Sequence, residues 1–180
     1  MDNLLKKYGI NISYEEILSM WNRDVNSYHN QKHLFDLYQQ IDNKYSINSK
    51  NWEILYLSAM FHDIIYDTNS KDNENNSIEF LLNNTPNITD DIITICDIIK
   101  DTITHNGRSE LSKIFQDMDM DILNRSIKEL IIYENGIYFE FGHHINYKRL
   151  RLEFINTIFD KSSNKDNLRK LIKYINLNYF

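Results

Sequence analysis

Almost nothing in this chain interrupts a helix. One proline and four glycines are spread over 180 residues, while Leu, Ile, Tyr and Phe recur at three- and four-residue steps. Without breakers or tight-turn residues, long amphipathic helices are what such a sequence builds. Hydrophobic residues make up 42% of it, enough for one ordinary core, so a single all-α domain spanning 1–180 is expected.

The helices can be placed by their caps and apolar stripes. Ser13 and Glu16 have capping-box spacing and open a helix that runs to about Trp21. Leu34, Leu37, Tyr38 and Ile41 mark a second helix, with His29 and His33 near its beginning. Ser49 caps a third, whose Trp52, Leu55, Tyr56, Ala59, Met60 and Ile64 make it the buried centre of the fold, ending near Tyr66. A loop over 67–72 precedes a fourth helix through Ile78 and Leu82. Thr89, Asp90 and Asp91 open a fifth that reaches His105 and ends at Asn106-Gly107, and 111–123 form a sixth. Two or three more follow from Ser126, with Asn135-Gly136, Gly142 and Ser162-Ser163 as breaks or kinks.

Composition excludes several functions. A net charge of −6, with the basic residues scattered in short groups such as Lys6-Lys7 and Lys148-Arg149 with Arg151, argues against a nucleic-acid duplex as partner. Cys96 is the single cysteine, which excludes a disulfide framework and a thiolate metal site and fits the cytoplasm. No apolar run approaches the ~20 residues of a membrane helix, and the N-terminus has no signal-peptide core, so no membrane partner is expected.

Four groups of acid and imidazole side chains stand on separate predicted helices: His29 with His33, His62-Asp63, His105, and Asp117 with Asp119. Imidazole and carboxylate together suit a first-row transition metal or magnesium, and helical bundles build such sites from side chains that several helices project inward. Asp63 lies in the most hydrophobic stretch, and no Lys or Arg occurs between Glu53 and Ser70 to pair with it. A partner on another helix or a bound cation must compensate it. Asp117 and Asp119, two apart on a helix, point to different sides, so at most one binds an ion well.

The ordered set Tyr28-His29-Asn30 with His33, Phe61-His62-Asp63, Tyr66-Asp67, Asp72-Asn73-Glu74, Thr102 to His105, and Phe115 to Leu123 resembles the HD-domain superfamily of metal-dependent phosphohydrolases. The likeness is to a subgroup described only as predicted phosphohydrolases, and it covers most of the chain. It implies an HD-type helical bundle in which His33, His62, Asp63 and Asp117 hold one divalent ion, with Mn, Fe, Co, Ni, Zn and Mg not distinguished. It also implies that open positions remain for water and a phosphate oxygen. Of the two acids on the sixth helix the family motif selects Asp117, leaving Asp119 as an outer partner or a surface group. One departure is visible: the subgroup's basic residue two places before Tyr-His-Asn is here Asn26.

The expected chemistry is attack of a metal-activated water on phosphorus in a nucleotide or another small phosphate ester. Either Asp67 or Glu74 is the general acid or base, and His105 is a phosphate contact, with helix capping as its structural alternative. His29 orients the other imidazole, His143-His144 is a surface pair, and Met118 and Met120 are core filler. Three rivals are a metal- or nucleotide-binding module without turnover, a di-iron oxygenase, and a hydrolase of nucleotide signals. A homodimer is compatible with all of these.

Overall fold

The computed structural model describes residues 1–180 apart from Asn26, His143 and Phe180, and of Lys161 only the backbone. The readings made for Asn26 and for His143 therefore lie outside the described residues. Among those residues there are ten α-helices and no strand, so the all-α expectation holds. They are α1 (Asp2–Lys7), α2 (Tyr14–Met20), α3 (Gln31–Lys44), α4 (Lys50–Phe61), α5 (Asn73–Asn83), α6 (Asp90–Asp101), α7 (Glu110–Asp119), α8 (Ile127–Glu140), α9 (Tyr147–Ile158) and α10 (Lys165–Asn178). None of the described helices is long and apolar enough to cross a membrane.

These residues group into two compact units. One comprises Met1–Asp24 and His29–Asp119, the other Val25–Tyr28 and Met120–Phe180. Each has its own core. The first is built around α4, apolar on every side and buried from Trp52 to Phe61, as the periodicity predicts. Its one buried charge, Glu53, accepts from Lys7 Nζ at 2.5 and 2.7 Å and from Tyr8 Oη at 2.9 Å, so the short α1, absent from the sequence reading, is stapled to the central helix. In the second unit Glu134 of α8 is wholly buried, accepting from Arg151 Nε at 2.8 Å and Tyr147 Oη at 2.6 Å. The Arg151 guanidinium also lies 4.9 Å from the centres of the Tyr133 and Phe154 rings. Leu130, Ile137, Ile155, Leu168 and Leu171 fill the space around them.

Local capping chemistry behaves as read. Ser13 and Glu16 form a capping box, Ser49 and Thr89 cap α4 and α6, and a second box at Ser126 and Glu129 opens α8. Asn135-Gly136 lies inside α8 and breaks nothing, whereas Gly142 takes φ +54 after that helix ends.

Two helices stop earlier than their apolar pattern suggests. The pattern carries α4 to Tyr66, yet the helix ends at Phe61 with His62 as its C-cap. Beyond it, Arg23 takes the carbonyls of Asp63 and Ile64, and the Ser77 hydroxyl binds both the N–H and the C=O of Ile65. Partners from distant segments thus replace the bonds that another helical turn would make. Likewise α6 ends at Asp101 instead of His105. The buried Asp101 carboxylate accepts from Arg108 N at 2.8 Å, Arg108 Nε at 2.5 Å and Ser112 Oγ at 2.7 Å, folding the connection to α7 back onto the helix end. Within that connection His105 adopts φ +47, in the left-handed region that residues other than glycine enter uncommonly.

Gly107 completes this turn by close approach: a Cβ there would lie 2.4 Å from the backbone nitrogen of Lys113. Backbone cannot yield as a flexible side-chain tip can. Gly107→Ala is therefore expected to cost about 1–3 kcal/mol, the usual penalty of overpacking. Urea unfolding followed by circular dichroism should show a lower midpoint at unchanged slope, and an unchanged midpoint would contradict the tight turn.

Candidate metal centre

The site lies in the first unit and draws on α3, the end of α4 and the end of α7. Asn30 caps α3, its side-chain oxygen accepting from Lys32 N at 2.8 Å. That start places His33 one turn into the helix on the face it shares with Leu34, Leu37 and Ile41, all buried. His29 precedes the cap. The two histidines are therefore not neighbours on one helix face, although their ring centres are 5.9 Å apart.

His33 Nε2 lies 3.3 Å from His62 Nε2 and 3.1 Å from Asp119 Oδ1, and His62 Nε2 lies 3.7 Å from the same carboxylate oxygen. Ligand bonds of about 2.0–2.2 Å set neighbouring donor atoms roughly 3.0–3.5 Å apart. His33, His62 and Asp119 thus form a group that could hold a metal ion. The His62 Nδ1 atom is 3.0 Å from the Ala59 carbonyl, which fixes Nδ1 as a donor and turns Nε2 toward the cluster. Asp63 Oδ2 joins from the residue after the helix cap, 3.2 Å from His62 Nε2 and 3.8 Å from His29 Nε2. Buried rings back the imidazoles: Trp21 lies 5.5 Å from His62 between centres and donates its indole N–H to Met60 O, and Phe115 meets His62 edge-on at 5.5 Å.

Asp117, expected as the fourth ligand, is exposed and takes no part in this group. That expectation is corrected to Asp119. The reason is helical phase. Ser112, Phe115, Gln116 and Met118 form the buried face of α7, and Asp119, four residues after Phe115, continues it, whereas Asp117 faces away. The apolar stripe of the sequence carried this signal, and it is a better guide than motif alignment.

Asp67 stands in the loop that precedes α5. Its exposed carboxylate accepts from Asn69 N at 2.8 Å and Asn69 Nδ2 at 3.2 Å, while Asn73 binds both its N–H and its C=O. Asp67 shapes the loop before α5. Glu74, in the first turn of α5, is half-buried, and its carboxyl is pushed upward by burial and then by the charge of Asp63. His105 is partly buried and contributes to the field acting on both Glu74 and Asp119. The structure thus brings His33, His62 and Asp119 together with Asp63 beside them, and Glu74 and His105 in electrostatic range, while Asp67 and Asp117 are exposed and not members of the ligand group.

Charge explains the protonation of the cluster. Burial alone would push His62 down, but Asp63, then Asp119 and the Ala59 carbonyl, outweigh it and push the imidazole up to about 9. Burial pulls His33 below its ordinary value, with the hydrogen bond and charge of Asp119 offsetting only part. Both carboxyls stay ionised against the penalty of burial, Asp63 through His62 and Asp119 through its hydrogen bond with His33. Two carboxylates facing one imidazolium leave this group one negative charge. A divalent cation among neutral imidazoles would balance it.

Compared with known proteins, the chain matches no family model, no curated protein and no solved structure.

A cation entering this cluster must displace the His62 proton. Titrating Mn(II) or Zn(II) in buffers of different ionisation enthalpy is expected to report close to one proton released per ion at pH 7. Apparent affinity should rise by up to roughly tenfold per pH unit and level off near pH 9. Asp119→Ala should abolish binding and Asp117→Ala should leave it intact; the reverse pattern would restore Asp117 as the ligand.

Proposed function

We propose that this protein is a metal-dependent phosphohydrolase acting on a nucleotide or another small phosphate ester. The observation that carries the proposal is the convergence of His33, His62 and Asp119, whose donor atoms stand 3.1–3.7 Å apart beside Asp63. The ordered His, His-Asp, Asp pattern, by which the sequence resembles the HD superfamily, supports the same reading, now with Asp119 as its last member.

The ligands are His33, His62, Asp63 and Asp119, and one ion from the group Mn, Fe, Co, Ni, Zn and Mg fits two imidazoles and two carboxylates. Bound there, the ion supplies positive charge that polarises a phosphoryl oxygen and lowers the pKa of water. The protein's own groups do the rest. The Ala59 carbonyl holds His62 in the tautomer whose Nε2 carries the lone pair, and Trp21 and Phe115 keep water from the buried side of the imidazoles. The Glu74 carboxyl, held above the usual carboxylate range by burial, keeps its proton longer than an exposed acid and gives it to the leaving oxygen. His105, on the turn that Asp101 and Gly107 shape, contacts the phosphate. The thiol of Cys96, pushed up to about 11 by burial, is a poor nucleophile.

Phosphate release from a panel of nucleotides and sugar phosphates, with each divalent metal added to chelator-treated protein, tests this function. Hydrolysis restored by metal and lost in Asp63→Ala is expected; a folded, metal-loaded protein inert across the panel would favour a binding module without turnover. Glu74→Gln should lower kcat by about 10²–10⁴-fold with KM little changed, and should flatten the alkaline limb of the pH profile, because the variant no longer has an acid to deprotonate.

A further inference from the structure

We propose that Arg23 is a positioning residue of the metal centre, a fork that holds the segment carrying His29 and the segment carrying His62-Asp63 in one register. The inference rests on reading the cluster as a metal centre. Its basis is geometric. Arg23 Nη1 donates to the carbonyl of His29 at 2.7 Å, while Nη2 donates to the carbonyls of Asp63 at 2.5 Å and Ile64 at 3.2 Å. The guanidinium also lies 5.0 Å from the centre of Trp21 and 5.4 Å from that of Tyr66. Trp21 backs His62 and His33, and Tyr66 packs on His29 with centres 4.2 Å apart. One planar cation therefore touches the backbone of two of these residues and the rings that support the imidazoles.

The need for such a group follows from where α4 ends. The last carbonyls of α4 are met by His62, Trp21 and Ile64, but the chain leaves the helix with no glycine to set a left-handed cap, and the Asp63 and Ile64 carbonyls just beyond it take Arg23 as their donor. A donor taken from water would meet that need without fixing direction. A guanidinium with donors on a rigid fork fixes both carbonyls relative to His29, and with them the Asp63 carboxylate, 3.8 Å from His29 Nε2. The helix C-terminus also favours a positive charge at this place. An ammonium is a point donor and cannot reproduce the spacing of the two nitrogens.

The test compares wild type, Arg23→Lys and Arg23→Met, each as the full chain. Three readouts are taken: melting temperature, Mn(II) affinity by calorimetry, and the imidazole nitrogen and carbon-bound proton signals of the metal-free protein, assigned by single His→Gln changes. Arg23→Met is expected to weaken Mn(II) binding by about 10- to 100-fold. It should also shift the His29 and His62 signals while leaving His144 in place, and Arg23→Lys should recover only part of both. A variant that melts earlier yet keeps wild-type affinity and wild-type imidazole signals would overturn the inference, and full recovery by Lys would do the same. If wild type itself takes up no Mn(II), the metal reading fails, and the metal-free signals decide Arg23 alone: moved supports the fork, unmoved refutes it. Should Arg23→Met not fold, Arg23→Lys carries the comparison.

Discussion

Two carboxylates and two imidazoles packed among Trp, Phe and Met side chains must cancel one another's charge or be neutralised by something else. That constraint governs the first unit. Asp63 and Asp119 bear on His62, which holds a proton, while His33 beside it is held neutral by burial. Three of these groups, His33, His62 and Asp119, have their donor atoms in mutual reach, as a divalent ion requires, and Asp63 stands beside His62. Electrostatic necessity and candidate function are thus one arrangement: the cluster is costly without a cation and balanced with one.

The surrounding structure serves to hold that arrangement. Asn30 starts α3 where His33 will face inward, the C-cap of α4 presents His62 with its Nδ1 tied to Ala59 O, and α7 ends on Asp119. None of these positions lies in a helix centre. Helix ends allow a side chain to leave the regular cylinder, but they also strand backbone groups that must find partners. Arg23 and Ser77 meet that need just beyond α4, and Asp101 does so between α6 and α7. Arg23 reaches its carbonyl across 40 residues of sequence and Ser77 across 12, whereas Asp101 is bound by Arg108 seven residues on.

Legibility followed the range of the forces involved. Caps and amphipathic faces are local, so Ser13, Ser49 and Thr89 could be assigned from spacing alone, and the buried character of α4 from its composition. Asp119 was also locally legible, as the continuation of the Phe115 and Met118 face, but motif alignment favoured Asp117 over that phase. The ends of α4 and α6 were overrun because apolar periodicity persists past them, and the bonds that stop those helices come from Arg23, Ser77 and Arg108. Asp67 follows His62-Asp63 by the spacing of one helical turn, but the chain there is a loop bound to Asn73.

By itself, the sequence determined the helical class, most helix starts, the buried centre in α4 and the collection of imidazole and carboxylate groups that gathers beside it. These follow from propensity, capping and burial, each decided within a few turns of chain. Tertiary structure alone decided where α4 and α6 stop, and that Arg23 binds the carbonyls on either side of the site. Those outcomes depend on donor and acceptor atoms from distant segments meeting within about 3 Å, and only packing in three dimensions sets such distances.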